Sequence, residues 1–462
     1  MFTPKLSKRL DEISKYFVAA ILLAVPLYPK FPLFRIPGTY VSIRLEDFLM
    51  AAAGIILVIY IFPNLKNFIK DKINRAILIF LLVGLVSLSS ALFITQTVEF
   101  HLGMLHWLRR VEYFIPFFLG VIVIRRKKEN LEFFLKVLMI IILLVFVYGF
   151  GQRYFNWSIV VTQNEEYAKG VALRYVAGSH INSTFAGHYD LASFLILLLP
   201  VYISFFFLIK NIRTKALIAL VVFSGLWLIA YSGSRISAAS YLITVVLSLL
   251  LIKKYKAIPF VVLISLLFFG MSTNLVARYQ RLIEVSRDKL QEINKLFFSP
   301  YQMDVYAVEE TTTLPQRRGS SIPTPTPVPV FEDRSTSIRF NVEWPRAIRA
   351  FSKNPLIGTG YSSITLATDN DYLRLLGEVG ILGFFAFLLI FLRIGRYLLK
   401  SFPPIKEYQG IELAFMAGFM AALPGIFLNA VFIDIFEASK FAIIFWLLAG
   451  FSVALIKNDK NN

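Results

Sequence analysis

Apolar blocks of bilayer-crossing length constrain this chain more than any other feature. They lie near residues 15–29, 46–63, 76–95, 107–124, 131–150, 188–209, 215–231, 235–252, 257–275, 373–392, 411–433 and 437–456. Each approaches the roughly 20 residues that a helix needs to span hydrocarbon. Within a bilayer the backbone must satisfy its own polar groups, so blocks of this length fold as helices. The expected fold is all-α and polytopic, with about 12 transmembrane helices. Composition agrees: 57% of residues are hydrophobic, 17% are charged, and 45 are Phe.

The formal net charge of +19 would suggest nucleic acid in a soluble domain. Here the Lys and Arg residues sit mostly in short loops between apolar blocks, where they set orientation, so no nucleic-acid partner is expected. Lys66, Lys70, Lys72 and Arg75 share one loop, RRKK occupies Arg125 to Lys128, and Lys210, Arg213 and Lys215 share another. Lys253, Lys254 and Lys256, then Arg393, Arg396, Lys400 and Lys406, continue the alternation. The loop from Gln96 to Leu105 has no Lys or Arg, and the one near Ser232 has only Arg235. The first loop, with Lys30, Arg35 and Arg44, is an exception. The positive-inside rule then places both termini in the cytoplasm and the long segments 151–187 and 276–372 outside. The first block follows Lys5, Lys8, Arg9 and Lys15 as a signal peptide would, but no small-residue cleavage site follows it and another span soon does. It is expected to stay as a membrane helix.

Three parts follow: residues 1–275 with helices 1 to 9, residues 276–372 as a large external loop, and residues 373–462 with helices 10 to 12. In the large loop, Val276 to Phe297 has Leu282, Ile283, Leu290, Ile293 and Leu296 at helical spacing among charged residues. The stretch 311–330 then reads TTTLPQRRGSSIPTPTPVPV, whose alternating Pro excludes helix and favours extended chain or disorder. Order is expected to resume at Ser335, with Ile338, Val342, Ala347 and Phe351 apolar among basic residues. From Trp344 to Ile390 a polar, glycine-bearing segment runs straight into a span. Irregular backbone beside hydrocarbon is tolerated where it lines a cavity, so this segment is expected to build a site at the membrane surface.

No cysteine is present, which excludes disulfides, thiolate metal sites and a cysteine nucleophile. His101, His106, His180 and His188 have no HExxH-type spacing, and no metal site is expected. Gly358, Gly360, Gly380 and Gly383 fit tight turns and close helix approach better than a phosphate cradle, since a lone G-T-G is no P-loop.

Four strings carry a family resemblance. SIRFNVEWPRAIRAFSKNPLIGTGYSS resembles the Arg, Trp, then N-P-x-x-G-x-G signature of the O-antigen ligase and polymerase superfamily. DNDYLRLLGEVGILGFFAFLL is similar to the segment that follows it there, RYVAGSHINSTFAGHYDLASFLILLLP to an external segment leading into a span, and YSGSRISAASYLITVVL to a turn between two spans. Together they cover roughly residues 170–392 in the family's order.

The resemblance implies a glycosyltransferase on the outer face of the bacterial cytoplasmic membrane, with a polyprenyl-diphosphate-linked glycan as donor. The acceptor hydroxyl would lie on a glycan, lipid or protein, the anomeric carbon would invert, and neither cofactor nor metal would be required. Membrane lipids would surround the site. A diphosphate leaving group needs cations, and guanidinium offers a fixed fork of donors. Arg174, Arg235 and Arg339 are the candidates, and Arg110 or its neighbour Arg109 is expected to face the diphosphate while the other snorkels. Asp369 stands where many members have His, either as the base for the acceptor hydroxyl or as an orienting group. Asp369, Asn370 and Asp371 are also all helix-capping types. His188, Asp190 and Asn370 are candidate polar contacts in the same cavity, and Glu378 is expected to pair with an Arg. A ligase moving a finished glycan and a polymerase joining repeat units share this donor chemistry. From another class, a transporter of polysaccharide or lipid would show internal repeats with paired broken helices, and no half-to-half similarity is visible. A structural scaffold would not need clustered external arginines.

Orientation can be checked directly. A cysteine placed at Ser320 in this Cys-free chain should react with an impermeant thiol reagent in intact cells, and one at Asn130 should not; the opposite labelling would overturn the topology.

Overall fold

In the computed structural model, residues 4–29, 33–35, 42–160, 175–176, 179–281, 283–284, 287, 337–365, 367–400 and 408–458 are described. The helices are α1 (Pro4–Leu27), α2 (Leu45–Ile61), α3 (Leu65–Lys70), α4 (Lys72–Phe93), α5 (Phe100–Arg126) and α6 (Asn130–Tyr154). Then come α7 (His188–Leu208), α8 (Ile212–Ser232), α9 (Arg235–Leu251), α10 (Ile258–Gly270) and α11 (Thr273–Arg281). The last four are α12 (Trp344–Lys353), α13 (Asp371–Lys400), α14 (Gly410–Ala430) and α15 (Ser439–Asn458). Among the described residues the only strands are Phe34–Arg35 and Ser42–Ile43, paired antiparallel between α1 and α2.

Each expected span falls on a helix, and local chemistry explains several starts and stops. Asp71 accepts from the N–H groups of Ile73 and Asn74 to cap α4, and Asn211 caps α8 in the same way. Gly233, in the left-handed region, ends α8, and Ser234 then caps α9 through the N–H of Ser237. Among the described residues, eight helices are long and apolar enough to cross a membrane: α2 with α3, α4, α6, α7, α8, α13, α14 and α15. The helices starting at Tyr255 and Thr273, bent by 93°, make a ninth if counted as one span. The expected twelve thus exceed what the helices themselves establish. The difference lies in α1 and α5, which carry more charge, and in α9, whose 17 residues are short.

Burial sorts the helices into centre and rim. The apolar window of α15 is buried throughout and most of α7 is too, whereas α2 turns Ile55 and Val58 outward as a lipid-facing helix would. The centre is built by α14 packing on α7 and α9, and by α15 packing on α5. Polar groups tie this centre together. Asn429 of α14 donates to Ser193 of α7 (3.1 Å) and Ser237 of α9 (3.2 Å), and accepts from Ser240 (3.2 Å). The Lys440 ammonium, fully buried, donates to the carbonyls of Pro26, Tyr28 and Thr184 at 3.2, 2.7 and 2.6 Å.

The expected helix from Val276 is present as far as Arg281 in continuous form; the Pro-rich stretch 311–330 lies outside the described residues. Ser335, where order was expected to resume, lies outside the described residues, and Ser337 onward is helical. Of the four apolar positions singled out there, Ala347 is buried, while Ile338 and Val342 are exposed.

Interhelical hydrogen bonds in membrane proteins average below about 1 kcal/mol each because unpaired groups find other partners. Replacing Asn429 by Leu removes three of them, so thermal unfolding in detergent should show a loss of about 1–2 kcal/mol.

Candidate active site

The site is organised around a break in α13. Gly380 there has φ 67° and ψ −171°, which interrupts the helix about two and a half turns after Asp371. A break releases backbone groups that hydrocarbon cannot satisfy. The loop Asn354 to Gly360 takes them up. The N–H groups of Thr359 and Gly360 donate to the carbonyls of Gly377 (3.0 Å) and Glu378 (2.8 Å), and those of Ile381 and Leu382 donate to Pro355 (2.9 Å) and Leu356 (3.1 Å). Ser87 Oγ adds a bond to the Glu378 carbonyl at 2.8 Å. A Cβ at Gly358 would strike the backbone of Glu378 and Val379, and one at Gly380 would strike Leu356 and Gly358. Both also have positive φ, so glycine is required twice over. The N–H groups of this G-T-G are spent on the Asn354 carbonyl and on two helix carbonyls, and the expectation that it turns the chain instead of cradling phosphate agrees with the geometry.

At the head of α13 three polar residues divide the work. Asn370 Oδ1 accepts from the N–H of Leu373 at 2.9 Å and is the cap. Asp371 accepts from the N–H groups of Ile435 (2.9 Å) and Phe436 (3.2 Å), tying α13 to the turn between α14 and α15. Asp369, at φ 48°, is left to face Arg339. Arg339 donates to Asp369 Oδ2 from Nη2 (2.7 Å) and Nε (3.0 Å), and to the Tyr189 hydroxyl at 3.3 Å. The capping alternative for Asp369 is therefore replaced by Asn370. Burial pushes the Asp369 carboxyl up, against the opposing pull of Arg339. One turn beyond Arg339, burial and the charge of Asp369 push Glu343 up to about 7, and Glu343 Oε2 is buried without a hydrogen-bond partner.

A string of contacts leads from this pair to the turn between α8 and α9. The His188 ring lies on Tyr189, with centroids 4.0 Å apart, and stacks on His180 at 4.4 Å. His180 Nε2 lies 3.4 Å from Arg278 Nη1, which donates to the Gly233 carbonyl at 2.7 Å. Burial and Arg278 lower His180 to about 4, so its imidazole is neutral at pH 7. Arg235 donates to the Arg278 carbonyl at 3.1 Å, and Tyr279 donates to the Arg235 carbonyl at 2.7 Å. The 93° bend before α11 is what brings Arg278 over the turn. Asp190 sits half-buried in the first turn of α7. Arg174 lies outside the described residues.

Arg110 belongs to a different cluster. It is ion-paired with Glu437 and lies 4.0 Å from Glu378. Arg374 reaches Asp434 at 3.1 Å and Glu378 at 3.5 Å. Asp434 also accepts from the N–H groups of Thr368 (2.8 Å) and Asn370 (2.9 Å). With Asp371 close by, two guanidinium groups face four carboxylates, a setting that repels a diphosphate. The expectation that Arg110 or Arg109 faces the donor is corrected accordingly: Arg110 holds Glu437 and Glu378, and Arg109 lies 3.6 Å from Asp47 and is mostly buried, so it does not snorkel. Glu378 does pair with Arg, as expected.

Sequence reasoning missed Arg278, His180, Tyr189, Glu343, Arg374, Asp434 and Glu437. Only Arg374 had a readable signal, its i,i+4 spacing from Glu378. The others depend on contacts between distant segments.

The O-antigen ligase family model matches residues 218–388. Over these residues the chain is similar to O-antigen ligases. The matched stretch runs from α8 past the break in α13 and holds Arg235, Arg278, Arg339, Asp369 and Gly380; His188, Arg110, Asp434 and Glu437 lie outside it. No curated protein matches the chain. The match to the O-antigen ligase family model supports glycosyl transfer or ligation in a membrane as the general activity.

The raised Glu343 carboxyl has a signed consequence. A folded value above the unfolded one stabilises the protein below the unfolded value, and that contribution is lost as pH rises through the folded one. Between about pH 4.5 and about 7 the wild-type thermal midpoint should fall relative to that of Glu343→Gln, which has no proton to lose there. Parallel curves for the two proteins would refute it.

Proposed function

We propose that this protein transfers a glycan from a polyprenyl-diphosphate carrier to an acceptor hydroxyl at the outer face of the cytoplasmic membrane. The observation that carries this reading is the buried Arg339–Asp369 pair joined through Tyr189, His188 and His180 to Arg278 and Arg235. It brings guanidinium groups suited to a leaving diphosphate into one string of contacts with the Asp369 carboxylate.

The chemistry follows from the atoms. The acceptor oxygen forms a bond to the anomeric carbon as the bond from that carbon to the diphosphate oxygen breaks, and the electron pair leaves with the diphosphate. Guanidinium groups fixed before the reaction stabilise that charge without reorganising. Arg339 occupies only Oδ2 of Asp369; Oδ1 has no hydrogen bond among the described residues and is the oxygen to take the acceptor's proton. The pair also favours the ionised carboxylate, which a base requires, while burial raises its basicity. His188 and His180 shape the wall beside the donor. Asn370, as cap, and the Arg374–Asp434 pair fix the segment that presents Asp369. The buried Arg110–Glu437–Glu378 group holds the helices beneath it. The ligase and polymerase forms of this reaction differ only in the acceptor.

Transfer from a purified polyprenyl-diphosphate glycan, with insertion checked separately, tests the assignment. Arg339→Lys and Arg235→Lys keep charge but lose the fork, and each should lower turnover about 10²-fold or more, in line with loss of a preorganised donor. Asp369→Asn should abolish turnover while donor binding survives. Near-normal transfer by both lysine variants would end the clamp assignment, and a full-rate Asn variant would end the base assignment. Product size separates single ligation from polymerisation.

A further inference from the structure

Beside the turn that carries Arg235 lies a cavity that the transfer reading leaves unused. Its volume is about 300 Å³, at the lower end of small-molecule sites, and its walls come from the end of α6, the end of α8 and the bend between α10 and α11. Arg153 lines it. The guanidinium lies 4.1 Å from the ring centre of Tyr231, 5.5 Å from that of Tyr154 and 5.8 Å from that of Tyr175. Its Nη1 donates to the Tyr175 hydroxyl at 2.8 Å. No carboxylate pairs with Arg153 among the described residues, and no acidic side chain lines the cavity. Arg153 Nε and Ser179 Oγ are both buried without a hydrogen-bond partner, at two points of the lining. Orphaned buried donors of this kind call for a partner that the protein does not supply.

The position links the cavity to the reacting centre. Asn274, on the wall, lies 3.1 Å from His180 Nδ1. Tyr231 accepts from the N–H of Ile181 at 3.2 Å and precedes Gly233, on which Arg278 is anchored, by two positions. A sugar attached to a diphosphate held by Arg235 and Arg278 would have its next residues near this wall. Tyrosine rings offer flat apolar faces to the C–H face of a pyranose, and their hydroxyls, with Ser179 and Asn274, offer hydrogen bonds to its rim. An unpaired guanidinium among them adds a preference for negative charge.

We propose that this cavity is a saccharide subsite for an acidic sugar, with its carboxylate on Arg153 and its ring against the tyrosines. The proposal rests on the transfer reading for the direction in which the glycan runs, but its binding test does not need turnover. Full-length protein in phosphatidylcholine nanodiscs is titrated with a uronic-acid trisaccharide, with the matching neutral trisaccharide, and with inorganic diphosphate. The wild type should bind the uronate at least tenfold more tightly than the neutral sugar. Arg153→Gln should remove that preference, and Tyr231→Ala should weaken both sugars, while inorganic diphosphate affinity stays unchanged in each. Should Arg153→Gln fail to fold, Ser179→Ala, which removes one hydroxyl, should still weaken the uronate a few-fold.

No sugar binding by the wild type, or equal binding by the variants, overturns the subsite. An Arg153→Gln effect seen only as lost retention of phosphatidylglycerol in mixed nanodiscs assigns the cavity to lipid headgroups and overturns it too. Failure of inorganic diphosphate to bind the wild type would sink the donor clamp while leaving the sugar result standing.

Discussion

The hydrogen bonds between the Asn354 to Gly360 loop and the broken helix at Gly380 are the constraint on which the rest of the site depends. A membrane helix interrupted without them would leave carbonyls of Gly377 and Glu378 and N–H groups of Ile381 and Leu382 unpaired, each costing several kcal/mol in hydrocarbon. With them, the loop acts as a fitted plug and the upper half of α13 points its first turn where a continuous helix could not. Arg339 and Asp369 lie on the two sides of this plug in sequence, at positions 339 and 369, and meet because the plug returns the chain to the helix head. The glycines are thus determinants of where a carboxylate sits, although none of them touches it.

Electrostatics then divides the arginines into two groups with different partners. Arg110 and Arg374 are surrounded by Glu378, Asp434 and Glu437, and such buried pairs fix geometry more than they add stability. Breaking one would strand a charge, which locks α5, α13 and the turn between α14 and α15 together. Arg235, Arg278 and Arg339 lie along the string of contacts that starts at Asp369. The proposed transfer places the diphosphate on this second group, away from the four carboxylates around the first.

The sequence carried much of this in unequal degrees. Apolar block length located the helices because each bilayer span is a local property, and the spacing of Asn354, Gly358, Gly360 and Gly380 marked the irregular segment because glycine and proline punctuate backbone locally. Arg235, Arg339 and Asp369 were legible through the motifs around them. Arg110 was misassigned because a charge within an apolar run announces only that it has a partner; Glu437, its partner, lies 327 positions away. Arg278 was hidden for a related reason. Its segment reads as an ordinary amphipathic helix, and only the 93° bend before it sets the guanidinium against Gly233.

The departure from His at position 369 can be understood in the same terms. An imidazole works as a base near neutral pH without help, whereas a solvated carboxylate near its reference value is largely deprotonated but weakly basic. The surroundings of Asp369 work on both properties. Burial strengthens its hold on a proton, and Arg339, bound through one oxygen, keeps enough charge on the group for it to remain a base at rest. The Asp434 carboxylate adds negative charge nearby that pushes in the same direction as burial. In the proposed transfer the Arg339 interaction would serve two ends: it would orient the carboxylate toward the acceptor and set a cation beside the bond that breaks. A histidine at this place could not pair with Arg339 as a charged partner, so under that reading the aspartate would couple the proton-accepting group to the diphosphate clamp in a way that imidazole does not.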